Sequence, residues 1–485
     1  MAEQNLRSKT IKGVGWSAAD TILSQGTGFV VGIVLARLLT PEDYGVLGLI
    51  MIFVTVLNGM VDCGFSTSLI RKETTKSEDY DTMFYTNLVV STFLYAILYI
   101  ASPYISSFFN REDLTLLLRV MGSVLFINAL SITQMTILTR RIDFKTKTKA
   151  SFSSSVISGI IGITLAYCGF GVWSLVVQQL SKQAIYTVAL WIYNKWIPSL
   201  TFSADSFRYM WGFGWKLLLS GILNNAWNQV YQIVVGKFYN PSTLGQYTRA
   251  REYSKIFSEI LTMIVQKVSF PAMASIQSET ERLVAAYRRI IKVTMFVAAI
   301  CMFAMGAVAE PLIYCLIGSK WHEAASYLPL ICISMSLYPL HAINLNMLQV
   351  QGRSDIFLHL EIIKKIIAVG PICLGIFVGI KAMLVGSIIT GLISFYFNSY
   401  YTGKKLNYSS WMQLKDVAPS YFIATIIALS VYFFKFLPIS NILILIIQIL
   451  IGTTVFFVVC EIRKQEEYLE IKSIVTPIII KIIKR

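Results

Sequence analysis

Long apolar runs separated by short polar breaks set the pattern of this chain. Fourteen such runs can be marked, at roughly 15–36, 43–62, 83–103, 115–137, 152–169, 172–193, 214–235, 250–269, 288–309, 325–347, 359–379, 382–402, 417–435 and 440–460. About 20 apolar residues span a bilayer as a helix. A β-barrel would instead show segments of about ten residues alternating inward and outward. The stretch SNILILIIQILIGTTVFFVVC does not alternate and is apolar on every side. The pattern predicts an all-α integral membrane protein with about fourteen transmembrane helices. The first run is too long and too polar for a signal-peptide core and is expected to stay in the mature chain.

Composition agrees. Hydrophobic residues make up 55% of the 485 and charged ones 14%, against roughly 25% charged in soluble proteins. That much apolar surface calls for lipid. The net charge of +16 would suggest nucleic acid in a soluble protein. Here, threading fourteen helices puts about 26 Lys and Arg on one side and 8 on the other. The positive-inside rule then places both termini in the cytoplasm and leaves no role for nucleic acid. Seven cysteines without a CxxC pair and three histidines without ligand spacing predict neither disulfides nor a metal, and no cofactor is expected.

The chain writes its opening twice. LLTPEDYGVLGL at 38–49 returns as FYNPSTLGQYTR at 238–249. GVGWSAADTILSQGTGF returns as GFGWKLLLSGILNNAWN, aligning Trp16 with Trp215, Gln25 with Asn224 and Pro41 with Pro241. RRIDFK faces GRSDIF, and GFGVWSLV faces GIKAMLVG. A repeat of six helices returns the chain to the same side, so the halves are parallel repeats. The expected domains are a lobe at 1–195, a second at 205–403, a helical pair at 415–460 and a basic amphipathic cytoplasmic tail at 461–485. Pro339 and Pro371 are expected to bend the tenth and eleventh helices.

Polar residues at membrane depth are costly and mark candidate sites. The seventh run carries Lys216, Asn224 and Asn228 with Trp227 and Tyr231 beside them; the first carries Asp20 and Gln25. The sixth adds Gln178, Gln179 and Lys182, and the eighth Lys255, with Arg249 at its outer rim. These residues are candidates to line a hydrated, positively biased cavity between the lobes. Such a cavity suits a phosphate-bearing head group, and Trp and Tyr among amides suit sugar rings. The plain alternative is that the asparagines and serines only join helices. Asp20 is the ion-coupling candidate, or else it pairs with Lys216 or another base.

LARLLTPEDYGVLGL, CGFSTSLIRKE, ILTRRIDFK, GFGVWSLVVQQL, LGQYTRARE and SFPAMASIQ, in this order, resemble the polysaccharide exporters of the multidrug/oligosaccharidyl-lipid/polysaccharide superfamily, such as Wzx-type O-antigen flippases. The resemblance covers about residues 5 to 460. It implies a flippase that moves an undecaprenyl-diphosphate-linked oligosaccharide across the bacterial inner membrane by alternating access. The partners it implies are that lipid-linked glycan, membrane lipids and, as further candidates, a polymerase and glycosyltransferases. A cation-coupled multidrug or metabolite antiporter of the same superfamily is the alternative, but its cavity would favour acidic groups. An enzyme is not expected, since the short loops hold neither DxD nor HExxH.

Overall fold

The computed structural model describes residues 2–483; Lys484 and Arg485, counted above among the basic residues, lie outside them. The described residues form α-helices with two short 3₁₀ turns and no strand. The first helices are α1 (Ala2–Leu38), α2 (Pro41–Val61), α3 (Phe65–Arg71), α4 (Ser77–Phe109), α5 (Asp113–Gly122), α6 (Val124–Arg140), α7 (Phe144–Tyr167), α8 (Val172–Asn194), α9 (Ala204–Phe238) and α10 (Pro241–Ser275). There follow α11 (Thr280–Ala307), α12 (Ala309–Ile317), α13 (His322–Ser336), α14 (Tyr338–Val350), α15 (Ser354–Ile367), α16 (Val369–Phe377), α17 (Ile380–Leu406), α18 (Ser410–Tyr432), α19 (Asn441–Arg463) and α20 (Glu466–Ile483).

Among the described residues, eleven segments are long and apolar enough to cross a membrane. Fourteen were expected. The runs expected at 172–193, 214–235 and 359–379 do fall on helices, α8, α9 and the pair α15–α16, but these are not among the eleven. Each carries charged or amide side chains (Lys182, Lys216, Lys364) that dilute its apolarity. On α19 the exposed side chains are Ile442, Ile446, Ile449, Leu450 and Phe457, a surface that belongs in hydrocarbon. The chain is a multi-pass membrane protein.

The repeat is visible in the helix starts. The side chain of Thr40 accepts from Asp43 N at 3.2 Å, and Asp43 accepts in return from Thr40 N at 2.9 Å, closing a capping box before Pro41. At the matching point Asn240 Oδ1 accepts from Thr243 N at 2.8 Å before Pro241. Pro fits there because the first helical N–H has no intrahelical partner. The residues before α8 and α17 also match: Gly171 and Gly379 both have positive φ, at 52° and 139°. The third correspondence keeps its spacing but not its contact. Asp143 caps α7 by accepting from Thr146 N at 3.1 Å, whereas Asp355 pairs with Arg353 at 3.0 Å. The expected bends are present too. The helix breaks at Leu337 and at Ala368, just before Pro339 and Pro371.

Packing divides the chain into two compact units, Met1–Gly245 and Gln246–Arg485. Sequence repetition places the lobe boundary earlier, near 195–205. The packing division falls later because α9 lies against α2, α3 and α4. The core of the first unit gathers Phe65, Leu69, Met83, Leu94, Leu125 and Met210. The second has an apolar core around Met273, Ile291, Met295 and Met347, with a buried polar cluster beside it. There Tyr287 donates to Asn344 Oδ1 at 2.6 Å, and Asn344 donates to Gln413 Oε1 at 3.2 Å. Nearby Arg288 grips Asp416 through two bonds of 2.5 and 2.7 Å. His341 meets Asn398 at 3.2 Å.

Within the first unit the starts of α2 and α10 lie in close contact, and glycines allow it. A Cβ on Gly45 would strike the Pro241 carbonyl, and one on Gly245 would strike the Pro41 carbonyl. The two repeated turns thus face each other backbone to backbone. Gly45→Ala and Gly245→Ala are each expected to lower the thermal midpoint of the purified protein, at a cost of about 1–3 kcal/mol for overpacking. Gly26→Ala, where nothing lies within 4 Å, is the control and should leave the midpoint unchanged or raise it. Equal midpoints for all three variants would contradict the contact.

Candidate substrate site

The first unit forms a half-open chamber of about 380 Å³, within the size range of small-molecule sites, roughly 300–1,000 Å³. Its polar wall comes from α8 through Gln179, Lys182, Gln183 and Tyr186. Ser24 of α1, Thr55 and Asn58 of α2, and Ser151 and Ser154 of α7 face them. Met51, Val54, Met121 and Val124 complete it. Spacings of three and four residues bring Gln179, Lys182, Gln183 and Tyr186 onto one side of their helix.

The rotation of α8 is held by hydrogen bonds to α6. Asn128 donates to Asn58 Oδ1 at 2.8 Å, and Gln183 donates to Asn128 Oδ1 at 3.3 Å and to Ser131 Oγ at 3.2 Å. One turn on, Thr187 donates to the Ile127 carbonyl at 3.0 Å, and the indole of Trp191 donates to the Leu130 carbonyl at 2.9 Å. At the end of α8, Asn194 donates to Gln134 Oε1 at 2.6 Å and accepts from Arg141 at 3.2 Å. These bonds aim Lys182 into the chamber.

Lys182 lies midway along α8 and is half-buried. Among the described residues no hydrogen-bond or ion-pair partner answers its ammonium. An ammonium in that position is costly unless it faces water or an anion. Asp20 is half-buried with Oδ1 shielded and without a hydrogen bond, and it acts electrostatically on Tyr186 of the chamber wall.

The other expected site residues are distributed differently. Gln178 packs against Gly162 of α7 rather than lining the chamber. Gln25 is exposed, while its neighbour Ser24 lines the wall. On α9, Lys216, Asn224 and Asn228 are exposed and Trp227 and Tyr231 half-buried, and none of them lines the chamber. Lys216 lies 6.0 Å over the ring of Trp215. Arg249 and Lys255 belong to the second unit. Lys255 is not an unanswered charge, since Glu259, one turn on, lies 3.7 Å away. Lys364 is likewise paired, with Glu361. The positive bias read from the sequence therefore narrows, because side chains a turn apart neutralise each other.

Sequence reasoning passed over Asn58, Asn128, Gln183, Ser151, Ser154 and Tyr186. Asn58 and Asn128 stand alone in apolar runs, and Gln183 follows Lys182 in the polar stretch QQLSKQ; that was the available signal. Only folding shows that three helices aim them at one another.

Known proteins resemble this chain along most of its length. The succinoglycan biosynthesis transport protein ExoT of Rhizobium meliloti is 24% identical over 382 residues, 78% of this chain and 77% of the relative. The teichuronic acid biosynthesis protein TuaB of Bacillus subtilis is 23% identical, covering 73% of each. The lipopolysaccharide biosynthesis protein WzxC of Escherichia coli is 22% identical, covering 76% of each. Among solved structures, the lipid II flippase MurJ in an inward closed conformation superposes with a TM-score of 0.75 at 15% identity, over 93% of this chain and 99% of its own. An inward-facing multidrug resistance transporter of the MATE family gives 0.62 at 16% identity, over 81% and 99%. At these identities the structures establish a shared fold. The profile of polysaccharide biosynthesis proteins matches residues 34–326, more than half of the sequence, and the chain belongs to that family.

Proposed function

We propose that this protein is a flippase. It moves an undecaprenyl-diphosphate-linked oligosaccharide, a repeat unit of O-antigen, capsule or exopolysaccharide, across the bacterial inner membrane by alternating access, with both termini in the cytoplasm. Polymerase and glycosyltransferases are its proposed partners in sequence. Family membership supports the substrate class, and the observation that carries the reading is Lys182 in the polar chamber of the first unit. A single ammonium among amides and hydroxyls suits an anionic headpiece bearing sugar hydroxyls, which both donate and accept. Lys216, Asn224, Trp227, Asn228, Tyr231, Gln25, Gln178, Arg249 and Lys255 remain proposed contacts along the path, and Asp20 the proposed coupling group.

The antiporter alternative draws on the MATE-like fold. A pocket for organic cations would present carboxylates, and the chamber presents a lysine instead.

The test is complementation of a bacterial strain lacking its own polysaccharide flippase. Lys182→Gln should cut flipping roughly tenfold or more, as expected for a lost charge-assisted hydrogen bond of about 1.5–3 kcal/mol. Lys182→Arg should retain more activity, and the protein should insert normally in both cases. Lys182→Gln at full activity would remove the chamber from the substrate path. In proteoliposomes, an imposed proton or sodium gradient should speed the unaltered protein, and Asp20→Asn should flatten that response. A rate indifferent to both gradients retires Asp20 from coupling.

A further inference from the structure

The segment joining α8 to α9, KWIPSLTFS at 195–203, is apolar where a loop is ordinarily polar. Ile197 is 78% exposed, Leu200 95% and Phe202 61%. On a water-facing loop these would form a costly patch. The loop is nevertheless tightly held from beneath. Asp81, fully buried in the second turn of α4, accepts from Ser199 N at 3.0 Å, Ser199 Oγ at 2.5 Å and Thr201 Oγ at 2.8 Å. Thr82 Oγ1 accepts from Ser203 N at 3.0 Å, and Asp79 accepts from Ser206 Oγ at 2.7 Å. The Trp196 carbonyl accepts from Gln134 at 2.9 Å. With its polar groups turned down onto α4 and α6, the segment projects its apolar side chains outward as a fixed wedge.

Its depth follows from the same contacts. Asp79, Asp81 and Thr82 open the span Ser77–Phe109, and Gln134 lies near the end of Asp113–Arg140. Arg71 and Lys72, at the end of Pro41–Arg71 and just beyond, lie over the rings of Phe213 and Tyr209 of α9. The segment thus sits where three spans leave the membrane. Trp191, Tyr193, Tyr209 and Trp211 flank the segment in sequence and Trp196 lies within it, aromatic residues that favour a membrane–water boundary. Exposed Lys195 opens the segment, exposed Arg208 follows it and exposed Arg71 lies over Phe213 of α9; all three suit lipid phosphates, and Asp205 is the acidic group nearby in sequence.

We propose that the 195–203 segment is a lipid-binding foot. Ile197, Leu200 and Phe202 enter the leaflet at the level of the glycerol and first acyl carbons, and the Asp81 clamp holds them there. The partner is interfacial phospholipid, and the foot anchors the start of α9 at one depth.

The test uses the full chain in vesicles of phosphatidylcholine and phosphatidylglycerol. Leu200→Cys and Phe202→Cys, in a background freed of its native cysteines, are labelled with bimane, with Glu73→Cys as the exposed control. Nitroxides near the lipid headgroup should quench both foot positions more than nitroxides deep in the acyl chains, and aqueous iodide should quench only the control. Quenching by iodide as at Glu73→Cys, or mainly by deep nitroxides, overturns the proposal. Asp81→Asn in the labelled chain should shift quenching towards iodide; no shift removes the clamp from it. The unaltered protein gives a second reading. Phosphatidylcholine carrying a diazirine beside the glycerol should label peptides spanning 196–202, and labelling that skips them while marking other segments overturns the foot.

Discussion

An ammonium midway along α8, for which the described residues supply no ion-pair partner, constrains how the first unit packs around its chamber. Removing it from water would cost far more than one hydrogen bond returns. The helix can form only if its neighbours surround that ammonium with polar groups and space for water or ligand. α8 meets the condition by turning one face, Gln179, Lys182, Gln183 and Tyr186, to the chamber. Its lower turns bond to α6 through Thr187, Trp191 and Asn194. The amide chain Asn58–Asn128–Gln183 is the hinge of this arrangement, because it joins three helices and sets the rotation of the lysine.

The repeat shows which parts of a duplicated architecture persist. Helix starts persist, since Pro41 and Pro241 and the positive-φ residues Gly171 and Gly379 meet backbone demands that side-chain divergence does not relax. Backbone-to-backbone contact at Gly45 and Gly245 persists for the same reason. Side-chain chemistry has drifted. Among the described residues Lys182 in the chamber of the first unit has no ion-pair partner, while in the second unit Lys255 and Lys364 are paired with Glu259 and Glu361. Two halves of one topology can thereby take different shares of a transport task.

The α8–α9 connection links this chamber to the membrane surface. The middle of α8 carries the lysine-bearing face, and beyond its C-terminal end the chain is pinned by Asp81 and Asp79 to the opening turns of α4. Phe207 and Trp211 of α9 then pack edge-on against Phe65. A segment clamped to α4 and resting in lipid gives α9 a fixed base.

The order of apolar runs, the charge asymmetry and the duplicated Pro–Gly turns are local or additive properties. The sequence by itself therefore determined an all-α multi-pass protein and the bends before Pro339 and Pro371, and it supports the proposal of a two-fold internal repeat. Candidate polar residues were equally legible, because a lysine or amide stands out within apolar neighbours. Their grouping was not. Whether Lys182 shares a chamber with Asn58, far away in the chain, depends on the rotation of each helix about its axis. Hydropathy leaves that rotation free to within a residue or two, and one residue turns a side chain by about 100°. Only the tertiary structure decided it, through hydrogen bonds between helices that no single helix can form alone.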